Sequence, residues 1–278
     1  MNKRIVVGLD GSEFSGTAMA VACEQARRSE GTVVGIGVVD LPGIESVERG
    51  APVGSLYFAK KAEEHKLRDA LEKVEGFLED FENVCKEAGV KYELHSRRGV
   101  PFRSIVEAGK VADLIVVGLR TFYHFETSSE AGDTLKRVLR HSVCPVMAVP
   151  QTMEAVKNVI IAYDGSTESA KALRAFVNRF HPGFQDVRFT LLTVSEPEQD
   201  ASDVQRDALA YLASWDVEPA TVVDDGKVYE VILRHSKVLD RPMVVMGAYG
   251  RSEISELFFG STARRLVEDA TIPIFVYH

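Results

Sequence analysis

The chain has 278 residues, with 33 lysines and arginines against 41 aspartates and glutamates, so its net charge is −8. This length exceeds what one compact core usually holds and favours two domains of about 140 residues each. The acidic balance leaves no basic surface for a polyanion, which argues against nucleic acid and anionic membranes as partners.

The first apolar run, at 5–9, is ended by Asp10 and is too short for the apolar segment of a secretory signal. No apolar run reaches membrane-spanning length. Cys23, Cys85 and Cys144 are odd in number and far apart, which fits neither a disulfide framework nor a zinc site. We therefore predict a reduced, cytoplasmic protein without a structural metal.

Three segments of the first half return in the same order in the second: RIVVGLDGSEFS as NVIIAYDGSTES, ADLIVVGL as RPMVVMGA, and CPVMAVP as IPIFVYH. Three matches in one order indicate a duplication. The stretch that begins at Pro150 is the natural linker. It divides the chain into a domain at 1–150 and a second domain at 157–278.

Apolar runs of strand length alternate with helical stretches in each copy. In the first copy a long amphipathic helix is predicted over Leu56–Ala88, since its apolar residues recur at helical spacing. In the second copy, strands are predicted at 159–163, 189–194, 220–223, 243–247 and 274–277, and helices at 167–179, 204–214, 228–238 and 261–270. The alternation predicts an α/β fold in which crossover helices connect parallel strands.

A glycine-rich segment, GAYGRSEISELFFGST, joins the fourth predicted strand of the second copy to its last helix. Glycine lets the backbone approach an anion, and free amides at a helix start attract phosphate. The spacing G-x2-G-x9-G-S/T matches neither the Walker loop nor the dinucleotide fingerprint. A plain strand-to-helix turn with a serine cap is the structural alternative. The candidate phosphate-binding residues are Gly247, Gly250, Arg251, Gly260, Ser261 and Thr262.

Together with Asp-Gly-Ser after the first strand of each copy, this motif resembles the nucleotide-binding branch of the universal stress protein family, over nearly the whole sequence. The resemblance implies two tandem five-stranded, Rossmann-like sheets of strand order 3-2-1-4-5, paired about a pseudo-twofold axis through their final strands. It also implies ATP in the crevice above strands 1 and 4 of the second copy. A divalent ion such as Mg²⁺ that bridges the phosphates is left open.

Three further residues are assigned by this resemblance alone. Asp164 would lie beside the nucleoside, and the main chain at Ala162 and Val194 would contact adenine, while 247–262 would hold the ribose and phosphates. The structural alternatives are that Asp164 caps a helix and that Ala162 and Val194 are ordinary core residues.

The first copy departs from the motif. Thr121 stands in place of the second glycine, Asp133 in place of the serine, and the span between the outer glycines is one residue longer. A carboxylate at this point would repel phosphate, so we predict that the first domain does not bind a triphosphate. Its aromatic residues at 122–125 are expected to pack on its own sheet or on the partner domain, with another ligand as the alternative.

No catalytic motif occurs: there is no Gly-x-Ser-x-Gly, no His-Glu-x-x-His and no cysteine paired with a nearby histidine. The predicted function is a nucleotide-binding stress or signalling module with no catalytic residue. Two alternatives stay open: an interaction or scaffold protein of the same fold with a vestigial glycine loop, and a slow ATP hydrolase. Association of two chains into a homodimer is left open as well.

Overall fold

The computed structural model describes residues 3–41, 56–123, 133–181, 183, 186–195, 201–248 and 261–278, and in these it contains ten strands and eight helices. The first half consists of β1 (Arg4–Leu9), α1 (Glu13–Ser29), β2 (Thr32–Val39), α2 (Leu56–Ala88), β3 (Lys91–Arg98), α3 (Pro101–Gly109), β4 (Leu114–Gly118), α4 (Asp133–His141) and β5 (Val146–Val149). The second half consists of β6 (Asn158–Ala162), α5 (Thr167–Phe180), β7 (Arg188–Val194), α6 (Ala201–Ala213), β8 (Ala220–Asp224), α7 (Val228–Lys237), β9 (Pro242–Gly247), α8 (Ser261–Asp269) and β10 (Ile274–Tyr277).

All ten strands belong to one sheet, in the order β3-β2-β1-β4-β5-β10-β9-β6-β7-β8. Neighbouring strands within each half are parallel, whereas β5 and β10 pair antiparallel, with Phe275 opposite Met147. The α/β class and the parallel pairing agree with the prediction. The final strands pair as the family resemblance implied, and their hydrogen bonds merge the two five-stranded units into one sheet.

Helices cover both faces of this sheet. Apolar residues of α1, α2, α5 and α6 form one core layer, and those of α3, α4, α7 and α8 form the other. Side chains of β1 alternate between them, since Ile5 and Val7 join the first layer and Val6 joins the second. Because both faces are buried, the central strands are continuous apolar runs rather than alternating ones.

The long helix α2 has the predicted bounds. It packs on β2 at Gly35 and Gly37. A methyl group placed on Gly35 would lie 2.7 Å from the ring of Phe81, which is fully buried. Gly35 is therefore needed for the close approach of helix and strand. Of the helices that the structure describes, none is at once long and apolar enough to cross a membrane.

The two halves meet at the β5–β10 junction. There Arg179 Nε donates a hydrogen bond of 2.9 Å to the carbonyl of Asp113, and Lys136 Nζ lies 2.6 Å from a carboxylate oxygen of Glu268. A cavity of about 540 Å³ opens between α1 and α5, over Met147 and Met243. This cavity lies under the helices and not at the strand ends, where the candidate site was predicted.

Candidate functional site

Four of the predicted site residues lie at the same edge of the sheet. Ala162, Val194 and Gly247 are the last residues of β6, β7 and β9, and Asp164 follows β6 by two residues. Because β6 lies between β7 and β9, these carboxyl ends are neighbours in space. The chain leaves β6 toward β7 on one side and reaches β9 on the other, so the edge is a switch point, where open α/β sheets bind ligands.

The remaining predicted residues belong to the glycine-rich segment. Gly250, Arg251 and Gly260 lie outside the residues that the structure describes. Ser261 is the first residue of α8, and Thr262, in the first turn, is half-buried. The described part therefore provides a helix start that follows β9, and the phosphate role of the segment stays a prediction.

Asp-Gly-Ser has a structural role in both halves. Asp164 Oδ1 accepts hydrogen bonds from the amide of Ser166 at 2.9 Å and from its hydroxyl at 2.6 Å, while Ser166 caps α5 by accepting from the amide of Ser169. Gly165 has φ = 76°, which favours glycine. Asp10 and Ser12 repeat the arrangement before α1. The motif thus builds the turn from the first strand into the first helix of each half.

Gly247 is required by packing. A methyl group placed on it would lie 2.7 Å from the carbonyl carbon of Glu168 and 2.8 Å from the amide nitrogen of Ser169. The missing side chain lets the first turn of α5 approach the end of β9. This packing contact explains why residue 247 is glycine, and no ligand is needed to explain it.

A buried polar network beneath this edge was not predicted. Gln205 of α6 is 4% exposed, and its Nε2 donates to Thr193 Oγ1 at 3.0 Å and to the carbonyl of Val222 at 3.1 Å. Thr193 Oγ1 in turn donates to the carbonyl of Tyr163 at 2.8 Å. The network ties the ends of β6, β7 and β8 together beside Val194. A lone Gln in an amphipathic helix gives no sequence signal for this role.

The corresponding crevice of the first half is filled by a tyrosine. Tyr123 is 1% exposed, and a methyl group placed on Gly8 would lie 2.2 Å from its hydroxyl oxygen. Gly8 precedes Asp10 by two residues, as Ala162 precedes Asp164. Of the aromatic residues at 122–125 that were expected to pack, Tyr123 is buried on its own sheet, as is the neighbouring Thr121, whereas Phe122 is 46% exposed and 124–132 lie outside the described residues.

Asp10 anchors the segment that carries this tyrosine. Its Oδ2 accepts a hydrogen bond of 2.7 Å from the amide of Phe122, in addition to the bonds from Ser12 at Oδ1. Burial raises the pKa of Asp10 and outweighs the opposing effect of these bonds. Burial, followed by the negative charge of Asp10, raises the pKa of Tyr123 well above its usual range. Neither the Tyr123 hydroxyl nor Thr121 Oγ1 has a hydrogen-bond partner among the described residues.

The two crevices therefore differ at one matched position. Gly8 is buried beneath the Tyr123 hydroxyl, whereas Ala162 has a side chain of its own and is half-buried. In the first half, the Tyr123 hydroxyl lies directly over Gly8. A hydroxyl in the same position over Ala162 would overlap the alanine methyl group. The sequence contained a signal for this difference, because the glycine of the first half aligns with an alanine in the second.

A charged cluster lies next to Val194 on the same edge. Asp224, the last residue of β8, is paired with Val194, and its Oδ2 accepts hydrogen bonds of 2.7 Å from both His235 Nε2 and Arg234 Nη2. The bond from His235, and then that from Arg234, lowers the pKa of Asp224 to about 2. The cluster was not predicted, because it joins the end of a strand to His235, a helix residue eleven positions further along the chain.

Asp224→Asn is expected to make the free energy of unfolding depend less on pH in the acid range. A carboxyl whose pKa is lowered on folding adds stability above its unfolded pKa, and that stability is lost as pH falls from about 4 to about 2. Urea unfolding across this range measures the effect. Asp225→Asn makes the same charge change on the adjacent exposed residue and should keep the wild-type slope. Equal slopes for wild type and Asp224→Asn would contradict the expectation.

Among the described residues, no group of three or more His, Cys, Asp or Glu side chains could hold a metal ion. The described part of the candidate edge adds the backbone amides at the start of α8. Such donors suit an anionic group rather than a cation.

The topology and the edge define a duplicated α/β protein with one switch point per half, of which Tyr123 fills the first. A family model described as the universal stress protein family matches residues 1–150 and again residues 155–278. The chain belongs to this family and carries two of its domains in tandem.

Several universal stress proteins are similar to this chain. Universal stress protein Slr1230 of Synechocystis is 23% identical over 289 residues, which cover 99% of each chain. A universal stress protein of Archaeoglobus fulgidus, solved by crystallography, has a TM-score of 0.71 at 20% identity and covers 99% of this chain and 95% of its own, so it shares the fold. Another universal stress protein, crystallised in complex with cAMP, matches 54% of this chain and 99% of its own at 22% identity, with a TM-score of 0.37.

Proposed function

We propose that this tandem universal stress protein binds an adenine nucleotide, ATP, through its C-terminal domain and acts as a nucleotide-dependent stress or signalling module. One nucleotide binds per chain. The main chain at Ala162 and Val194 contacts adenine, Asp164 lies beside the nucleoside, and the segment 247–262 holds the ribose and phosphates. The domain limits of 1–150 and 157–278, the cytoplasmic location and a homodimer are parts of the same proposal.

The difference between the two crevices is the observation that carries the proposal. In the first half Tyr123 occupies the space above Gly8, and Asp133 stands at the start of α4. In the second half Ala162 is half-buried, and α8 starts with Ser261 and Thr262. A helix start without a carboxylate favours phosphate, and one that begins with aspartate opposes it.

A divalent ion fits this proposal only as part of the ligand. The described residues supply no carboxylate cluster to hold it. Mg²⁺ would therefore arrive with the phosphates, and its chemistry when bound is to neutralise their charge. No base is assigned, so hydrolysis is not part of the proposed function.

Thermal unfolding with and without ATP tests the proposal. With free ATP at about 100 times its Kd, the folded protein should gain about 2.7 kcal/mol. Gly250→Glu places a carboxylate in the predicted phosphate loop and should abolish this gain. Gly76→Glu makes the same change in α2, where a methyl group on Gly76 would meet no atom within 4 Å, and should keep it.

The same experiment separates the alternatives. If millimolar adenine nucleotides leave the unfolding temperature of the wild type unchanged, the interaction or scaffold function replaces the proposed one. If Gly76→Glu loses the gain as well, the effect of Gly250→Glu is not specific to the loop. Phosphate release by the wild type above the Gly250→Glu background would instead support the slow hydrolase.

A further inference from the structure

Two of the three cysteines face each other in the first domain. Cys23 of α1 and Cys85 of α2 are 3% and 0% exposed, and their sulfur atoms lie 3.7 Å apart. They are separated by 62 residues of chain, so only the fold brings them together. Cys144, the third, is also buried, but it belongs to the core layer on the opposite face of the sheet.

We propose that Cys23 and Cys85 are an oxidisable dithiol, which a hydroperoxide converts into an intramolecular disulfide that links α1 to α2. A disulfide has an S–S distance of about 2.05 Å, so the sulfur atoms must approach by about 1.6 Å. The proposal requires side-chain rotation and a small helix shift to supply this movement.

The reaction balances with a hydroperoxide as the only co-reactant. The Cys23 thiol loses its proton and the thiolate attacks one oxygen of hydrogen peroxide. The O–O bond breaks, a sulfenic acid forms, and the expelled hydroxide takes up the released proton and leaves as water. The sulfur of Cys85 then attacks the sulfenic sulfur, the S–O bond breaks, and a second water leaves with the remaining protons. Two thiols are oxidised to one disulfide, and one peroxide is reduced to two waters.

The contact between the thiols stabilises a thiolate in the pair. A hydrogen bond from the neighbouring S–H lowers the pKa of Cys23, while hydrogen bonding and burial raise the pKa of Cys85. Cys23 is also the less completely buried of the two, at 3% against 0% exposure, so the proposal takes Cys23 as the attacking sulfur and Cys85 as the resolving one. Burial of both residues restricts the reaction to small oxidants.

The link would act on the turn at the first crevice. A methyl group placed on Gly11 would lie 2.1 Å from the ring of Phe77, so α2 packs directly on the Asp-Gly-Ser turn that starts α1. A bond between α1 and α2 would hold this turn in place from both sides. The proposal does not depend on nucleotide binding, since Cys23 and Cys85 lie in the other domain.

Peptide mapping of the full chain tests the proposal. The native protein is treated with hydrogen peroxide, its thiols are alkylated under denaturing conditions, and the peptides are analysed without reductant. We expect two of the three cysteines to resist alkylation, a cross-linked peptide that contains Cys23 and Cys85 and lacks two hydrogens, and reversal by dithiothreitol. The unfolding temperature of the linked form should rise by about 5–10 °C, because a long loop is closed.

Variants of single cysteines provide the controls. Cys144→Ser should form the link as the wild type does, whereas Cys85→Ser should leave a sulfenic acid on Cys23 that a dimedone probe traps. The wild-type map needs no variant, so a folding defect in one of them would not obscure the outcome. The proposal is overturned if Cys144 oxidises before the pair, if only intermolecular disulfides form, or if the link appears only in denaturant.

Discussion

Gly247→Ala is expected to lower the free energy of unfolding by about 3 kcal/mol. The new methyl group would lie 2.7 Å from the carbonyl carbon of Glu168 and 2.8 Å from the amide nitrogen of Ser169. Both atoms are backbone, so no side-chain rotation relieves the contact, and α5 must move away from β9. Urea unfolding of the purified variant measures the change.

Gly76→Ala is the matched control for this prediction. Gly76 lies inside α2, and a methyl group placed there would meet no atom within 4 Å. Alanine is favoured over glycine in a helix, so this variant should gain about 0.5–1 kcal/mol. The same substitution is thus expected to act in opposite directions at the two sites. A neutral Gly247→Ala would show that α5 does not pack against β9 as described.

Much of the fold could be predicted because it depends on local patterns. Helix α2 was predicted from the period of its apolar residues, and strands β6, β7 and β9 from short apolar runs. Both patterns depend only on neighbours in the chain, and the predicted bounds agree with the observed ones within one or two residues. The pairing of the halves through their final strands was expected only from the family resemblance, because it joins residues that lie more than 120 positions apart, such as Phe275 and Met147. No local pattern shows whether two edge strands will share hydrogen bonds.

The candidate site, too, was predicted only in part. Ala162 and Val194 were assigned from the family resemblance and Gly247 from the glycine-rich motif, and the structure brings these three strand ends together. The support from Gln205 and the cluster at Asp224 did not follow, because each joins side chains from separate elements across the sheet edge. Tyr123 was expected to pack on its own domain, but its position over Gly8 required the geometry.

Gly8→Ala is expected to lower the free energy of unfolding by about 2–3 kcal/mol. The added methyl group would lie 2.2 Å from the hydroxyl oxygen of Tyr123, whose side chain is fully buried. Tyr123→Phe alone should leave stability unchanged or raise it, because the hydroxyl it removes has no hydrogen-bond partner among the described residues.

Combining the two substitutions isolates the contact. In Gly8→Ala/Tyr123→Phe the overlapping oxygen is gone, and the nearest remaining atoms are Ile105 Cδ1 at 3.0 Å and Val117 Cγ1 at 3.3 Å. We therefore expect the double variant to recover at least half of the loss, with a coupling energy of about 1 kcal/mol or more in a double-mutant cycle. Strictly additive effects would mean that the tyrosine hydroxyl does not lie over Gly8.

The antiparallel junction between β5 and β10 also fixes where the two crevices open. Since strands are parallel within each half, β1 to β5 all point one way and β6 to β10 point the other. The crevice that Tyr123 fills and the one beside Asp164 consequently open at opposite rims of the molecule, at least a strand length, or about 15 Å, apart. Among the described residues, the side chains at one rim do not extend to the other, so coupling between the two crevices would pass through the sheet, and a partner that contacts both would need two separate surfaces.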